Sequence, residues 1–274
     1  MTQCLTHKWI RVTYSAPVGR CVRQLRVLPP PARGAQRVLD MQWRCEPEQD
    51  AVRELTDDFG NLILELQHTR IEREFIWAVE LQTQCGSGDV LRNEGVPATG
   101  IGAFLLPSAL CDANPEVERA VEHLRETQQI GPKVVEESAT RICAWAHRAL
   151  EYAPGTTDAR TTVSQALRRG SGVCQDYAHV MIALCRSARI PARYVSGYLP
   201  GEGAMHAWVE VLDGDRWLAF DPTHNRRTRP DYVFVACGRD YRDVSPVSGS
   251  YHGNATARLR TKSEIKVVNR ISDE

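Results

Sequence analysis

Met205-His206-Ala207-Trp208-Val209-Glu210-Val211-Leu212-Asp213-Gly214-Asp215-Arg216-Trp217-Leu218-Ala219-Phe220-Asp221-Pro222 is a pair of apolar runs joined by a turn. The Asp213-Gly214 dipeptide between the runs predicts a two-residue β-hairpin. Counting outward from it sets Leu212 against Asp215 and His206 directly against Asp221, with Cβ atoms about 4.5–5.5 Å apart. Side chains alternate faces along a strand. Ala207, Val209, Val211, Leu218 and Phe220 therefore share one apolar face. His206, Trp208, Glu210, Trp217, Ala219 and Asp221 share the other. A carboxylate beside a histidine fixes its tautomer and stabilises the imidazolium. A purely structural cross-strand pair has the same spacing, so the pair acquires chemistry only beside a nucleophile.

Upstream, Gly170-Ser171-Gly172 leads into a predicted helix over 174–188, with Met181, Leu184, Cys185 and Ala188 as its buried stripe and Arg186 and Arg189 at its end; Pro191 stops it. Cys174 opens this helix. N–H groups at a helix start stabilise an anion on sulfur and can donate to an oxyanion forming on a carbonyl. Gly170 and Gly172 would let a substrate backbone come close. Free cysteine is most often a small buried hydrophobe, and that is the reading for the other eight of the nine cysteines. Their odd number and the lack of a CxxC pair fit neither a disulfide framework nor a zinc site.

The rest of the chain frames these segments. Its 274 residues allow one large or two modest domains. Charged residues are 25%, and 34 basic against 34 acidic residues leave no net charge to favour nucleic acid. The opening residues carry no apolar run behind a basic start, and no apolar stretch reaches about 18 residues. The expectation is a cytoplasmic protein with no membrane partner. Strands are expected over 20–28, 36–45, 62–66 and 75–81, giving a β-rich sandwich domain over 1–105. A core over 106–274 follows. Its helices are predicted over 115–128 (capped by Asn114, with Val117, Val121 and Leu124 buried), 134–152 (Ile142, Trp145, Ala149 and Tyr152 on one side) and 163–169. Its strands are predicted over 192–199, 204–212, 216–220 and 232–236, with a C-terminal extension over 257–268.

Gly172-Val173-Cys174-Gln175-Asp176-Tyr177-Ala178-His179, Ile190-Pro191-Ala192-Arg193-Tyr194-Val195-Ser196-Gly197-Tyr198, His206-Ala207-Trp208-Val209-Glu210 and Phe220-Asp221-Pro222-Thr223 together resemble the bacterial transglutaminase-like superfamily. Tyr14-Ser15-Ala16-Pro17-Val18, Leu28-Pro29-Pro30 and Asp58-Phe59-Gly60-Asn61 are similar to the β-rich N-terminal domain that accompanies this core in bacteria. Gly238-Arg239-Asp240-Tyr241-Arg242-Asp243-Val244-Ser245-Pro246 is similar to its continuation. The resemblance implies an α+β, papain-like core whose nucleophile Cys174 opens a helix packed on an antiparallel sheet bearing His206 and Asp221. It implies acyl transfer on amide bonds through a thioester. The acceptor stays open: water gives a peptidase or amidase, which is the expected case, and an amine gives a transglutaminase or amide-forming enzyme. A catalytically silent interaction module is the alternative from another class.

The expected partner is a peptide or amide substrate. Gln165, Gly172 and Trp208 are candidates for substrate or oxyanion contacts. Asp176 reads as a helix-start hydrogen-bonding residue, His179 as structural, and Asp240, Tyr241 and His224 as loop residues. The sequence has no phosphate loop, dinucleotide fingerprint or calcium loop, so neither cofactor nor metal is expected.

Overall fold

The structure, a computed structural model, describes residues 1–86, 90–91, 93–112, 114–131 and 134–270. The chain opens with β1 (Thr2–Tyr14), β2 (Val18–Leu25), β3 (Ala32–Arg33), β4 (Gln36–Glu46), β5 (Ala51–Thr56), β6 (Leu62–Ile71), β7 (Glu74–Cys85) and β8 (Val90–Leu91). Helices α1 (Pro115–Glu126) and α2 (Val135–Ala149) follow. Then come β9 (Glu151–Tyr152), α3 (Val163–Arg169), β10 (Ser171–Gly172) and α4 (Cys174–Ser187). The remainder is β11 (Ala192–Tyr198), β12 (His206–Asp213), β13 (Arg216–Asp221), β14 (Arg226–Arg227), β15 (Val233–Gly238), β16 (Val247–His252) and β17 (Ala257–Arg270). The chain is α+β, as the sequence implied. Among the described residues, no helix is long and apolar enough to cross a membrane.

Two antiparallel sheets, ordered β17-β1-β7-β4-β3 and β16-β2-β6-β5, make the N-terminal sandwich. Their inner faces meet through Ile10, Val12, Leu25, Leu66, Phe75 and Trp77. The division expected at 105/106 is crossed in both directions. β16 and β17, placed by the sequence in the core's C-terminal part, pair with β2 and β1, and β8 already lies on β13 of the core sheet. Without β16 and β17, β2 and β1 would be open edges with unpaired backbone groups. β1 is hidden in the sequence because its inward positions include Thr2, Thr6 and Lys8 among Cys4, Ile10, Val12 and Tyr14. Lys8 is tolerated inside because Nζ donates to Ser263 Oγ at 3.1 Å, and burial lowers its pKa to about 8.

The core sheet is antiparallel, ordered β14-β13-β12-β11-β15. The hairpin turn is Gly214-Asp215, with Gly214 at φ +60°, and not Asp213-Gly214: Asp213 pairs with Arg216 and Val209 with Phe220. The register is thus shifted by two from the expected one. His206 and Asp221 are diagonal neighbours rather than directly opposed. A shift of two preserves the faces, where a shift of one would have exchanged them. Ala207, Val209, Val211, Leu218 and Phe220 do pack into the main core with Ala178, Met181, Ile182 and Cys185 of α4.

α4 is buried all round from Asp176 to Arg186 rather than along one stripe. Arg186, expected at a solvated helix end, is buried, and its guanidinium donates to the carbonyls of Phe104, Ala192 and Arg239 and to Ser108 Oγ. α1 has its Asn114 cap and α3 its expected bounds. α2 ends at Ala149, earlier than expected, and buries Ala139, Ile142, Cys143 and Ala146, leaving Tyr152 outside. After Leu150 the chain turns extended so that Glu151 and Tyr152 can pair with Ser171 and Gly172, directly before Cys174.

Two side-chain amides join the sandwich to the core sheet. Gln36 donates from Nε2 to Phe234 O (3.0 Å) and accepts from Phe234 N (2.8 Å). Asn61 does the same for Cys237, at 2.7 and 2.8 Å. They satisfy backbone groups on the outer edge of β15, as a neighbouring strand would. Asn61 is held by Asp57, whose Oδ1 accepts from the N–H groups of Phe59 and Asn61.

Candidate active site

Gly170 ends α3 in the left-handed region at φ +66°, and the chain crosses β10 straight into α4. Cys174 is therefore the first residue of a helix that is enclosed from Asp176 to Arg186. It is half-buried, whereas seven of the other eight cysteines are buried and Cys45 is half-buried. Burial pushes up the thiol pKa of each of those eight.

Asp176 braces this turn. Its Oδ2 accepts from Val173 N at 2.8 Å and from the Thr157 hydroxyl at 2.6 Å, and burial raises its pKa against those bonds. A Cβ at Gly172 would lie 2.6 Å from the Asp176 Cβ. The absence of a side chain at Gly172 thus makes room for Asp176. Gln165, expected near an oxyanion, stands exposed at the start of α3, where Oε1 accepts from Thr162 N. That bond belongs to a capping box.

His206 starts β12 opposite Gly197 of β11. Gly197 has no room for a Cβ, because Trp208 and Val233 O fill that space. The close approach lets Trp208 lie against the His206 ring, with centroids 6.4 Å apart at 29°. Trp208 is buried and so supports the imidazole from the side. The His206 Nε2 faces Asp221 Oδ2 at 2.8 Å, with both side chains almost fully enclosed. With Nε2 on Asp221, Nδ1 is the ring nitrogen turned away from the carboxylate. Burial alone would lower the pKa of His206. The hydrogen bonds and charges of Asp221 and Cys174 outweigh burial and raise it to about 10.

Asp221 accepts five donors. Oδ2 takes His206 Nε2, His224 Nδ1 (2.7 Å) and the Tyr232 hydroxyl (2.6 Å). Oδ1 takes the N–H groups of Thr223 (2.9 Å) and His224 (3.2 Å). Burial would raise its pKa, but these bonds and the charge of His206 hold it well below the usual carboxylate range. His224 is thus a partner of Asp221 and not merely a loop residue. The sequence does carry a signal for it, since Asp-Pro-Thr-His can fold an Asx-type turn onto its own backbone. Tyr232 has no such local signal. His206, Asp221 and His224 also form a group whose ligand atoms lie within 4.8 Å of one another. Those atoms are already committed to hydrogen bonds on a shared carboxylate oxygen.

Other expected loop residues are anchored. Asp240 is buried, accepting from Leu110 N and Arg242 N. His179 is structural as expected: Nε2 accepts from Tyr241 N at 3.2 Å, and burial lowers its pKa to about 4. Cys174 also influences Tyr152, Tyr194 and Tyr241. Burial raises the pKa of each phenol, and charge at Cys174 adds to the effect.

A family model described as the transglutaminase-like superfamily matches residues 123–222, and one described as the bacterial transglutaminase-like N-terminal region matches residues 5–84. The chain thus carries a transglutaminase-like core behind a bacterial transglutaminase-like N-terminal region. The transglutaminase-like match takes in Cys174, His206 and Asp221, while His224 and Tyr232 lie beyond its end. An uncharacterised protein of Mycobacterium leprae, ML0607, is 36% identical over 171 residues, 59% of each chain, so this chain spans less than two thirds of that relative's length. A protein-glutamine gamma-glutamyltransferase of Pseudomonas aeruginosa is 40% identical over 67 residues, 20% of this chain and 10% of that protein. Among solved structures, one described as a "putative cysteine protease" from Cytophaga hutchinsonii shares the fold. Its TM-score is 0.79 at 24% identity, covering 99% of this chain and 92% of that one.

Proposed function

We propose that the protein is a cysteine-dependent enzyme acting on amide bonds, with Cys174 as nucleophile, His206 as proton carrier and Asp221 as the group that orients and charges the imidazole. The observation that carries this reading is the enclosed His206–Asp221 pair, its carboxylate held by five donors, on a strand packed against the helix that Cys174 opens. His206, with its pKa raised to about 10, keeps a proton at neutral pH. That proton is the one the Cys174 thiol gives up, and the sulfur attacks the amide carbonyl and forms a C–S bond. Backbone N–H groups at Cys174 and Gln175, which the helical ladder leaves unused, face the developing oxyanion. The C–N bond breaks as His206 delivers its proton to the departing amine. A water molecule, deprotonated by His206, then attacks the thioester, releases a carboxylic acid and restores the sulfur beside a protonated His206.

Water is the proposed acceptor because Cys174 is only half-buried, within reach of solvent. A fluorogenic peptide-amide library tests the reading. Wild type should release amine and acid, and Cys174→Ala should release neither. Turnover retained in Cys174→Ala would overturn the assignment. Exclusive transfer of the acyl group to an added amine, with no acid formed, would replace hydrolysis by transamidation.

A further inference from the structure

We propose that the cavity between the β3–β4 hairpin and the outer face of the core sheet is a binding site for a small monocarboxylate. The cavity has a volume of about 200 Å³, and Arg33, Trp208, Glu210, Tyr232 and Phe234 are among the residues that line it. It lies at the junction of the two parts of the fold, a common place for small-molecule sites. The proposal does not depend on the amide-acting reading.

The argument starts from charge. Arg33 and Arg193 share a single carboxylate, Glu210: Arg33 Nη2 lies 2.7 Å and Arg193 Nη2 2.6 Å from Glu210 Oε2. The three side chains are 9%, 0% and 4% exposed. Among the described residues, two buried cations on one anion leave one positive charge unbalanced inside this cluster, and an unbalanced buried charge is costly. Arg193 is closed off from the cavity. Its guanidinium lies over Trp217 at 3.9 Å, and its Nη1 donates to Glu94 O. Arg33 lines the cavity, stacks on Phe234 at 3.6 Å, and has its described hydrogen bonds from Nη2 alone. The surplus charge is therefore presented on the cavity wall.

The other described charged groups there are already matched. Arg227 pairs with Glu136 and Arg229 with Asp231 at the rim. The Gln36 amide is used at both ends by Phe234. One negative charge completes the balance, and the buried rings of Trp208 and Tyr232 offer an apolar wall for a short hydrocarbon body. A phosphate dianion would overshoot the charge and leave that wall unused. The same two rings pack on His206, and the Tyr232 hydroxyl holds Asp221, so the occupant sits one ring away from that pair.

The test titrates the full chain with benzoate and butyrate, and in parallel with phosphate and chloride at matched ionic strength. Tryptophan fluorescence, to which Trp208 and Trp217 contribute at the site, and the melting temperature are the readouts. Carboxylates should give a saturable fluorescence change and a rise in Tm. Arg33→Gln leaves Arg193 and Glu210 as a balanced pair, so it should fold and bind carboxylate at least about tenfold more weakly. Arg229→Ala, an exposed rim position, serves if Arg33→Gln fails to fold, and should weaken binding by a few fold through reduced field at the mouth. A linear response equal to that of chloride, or unchanged affinity in the variants, would overturn the site. Saturation by phosphate with inert carboxylates would overturn the ligand class.

Discussion

Replacing Asp221 with Asn tests the electrostatic core of the account. The substitution preserves size and removes the charge that holds the His206 proton. Burial, the opposing influence on His206, then dominates, and its pKa should fall from about 10 to below the ordinary 6.5. The sign with respect to stability follows from the raised folded value. The wild-type contribution is fully present below pH 6.5 and is lost as pH rises from there through about 10. At roughly 1.4 kcal/mol per unit, a gap of this size is worth about 4–5 kcal/mol at the acid end of that window. The carboxylate contributes oppositely, losing its stabilisation only in acid as it protonates. The change leaves the neighbouring pairing of Ala219 with Glu210 in place. An amide at 221 also turns an N–H₂ toward groups that are donors, so the variant should lose about 3–5 kcal/mol of stability. Its kcat should fall by about 10³–10⁴, the scale on which an orienting carboxylate matters to a histidine base. The assay combines an NMR titration of the histidine ring protons with denaturant unfolding at pH 6 and pH 9. A His206 that still titrates near 10 in the variant, or activity within about tenfold of wild type, would refute the reasoning.

Three further outcomes follow from packing and pairing. Gly197→Ala puts a methyl group against Val233 O and the Trp208 ring, and should cost about 3 kcal/mol in unfolding free energy; a neutral result would contradict the placement of Trp208. Tyr232→Phe removes one of the five donors to Asp221 and should cost about 1.5–3 kcal/mol by chemical denaturation, with the fold retained by circular dichroism. Asn61→Ala strips both amide bonds from Cys237 and should cost about 2–4 kcal/mol, opening β15 to amide hydrogen exchange; unchanged protection there would speak against the docking described.

The sequence carries the site's chemistry in local form. Cys174 is readable because a glycine-rich turn meets a helix there. The face shared by His206 and Asp221 is readable because parity survives a two-residue displacement of the register, as happens with the turn at Gly214-Asp215 rather than Asp213-Gly214. What escapes is non-local. Lys8 and Thr6 hide β1 by facing inward, where Lys8 depends on Ser263, a partner from the far end of the chain. The pairing of β16 and β17 with the N-terminal sheets leaves no periodic mark at either end. Tyr232 reaches Asp221 across a loop, and Arg186 finds its carbonyls on three separate segments. Gly172 makes room for Asp176, four residues on, a close approach with no mark in the sequence.

The central claim, that the Cys174 sulfur takes the acyl group, is tested most directly by trapping that group. Wild-type protein is mixed with an activated peptide amide, quenched in acid within the first turnover, and mapped by peptide mass spectrometry. The account predicts an acyl mass on the peptide containing Cys174, released by hydroxylamine, and absent in His206→Ala. Turnover with no adduct at Cys174, or with the acyl mass on any of the other eight cysteines, would contradict it.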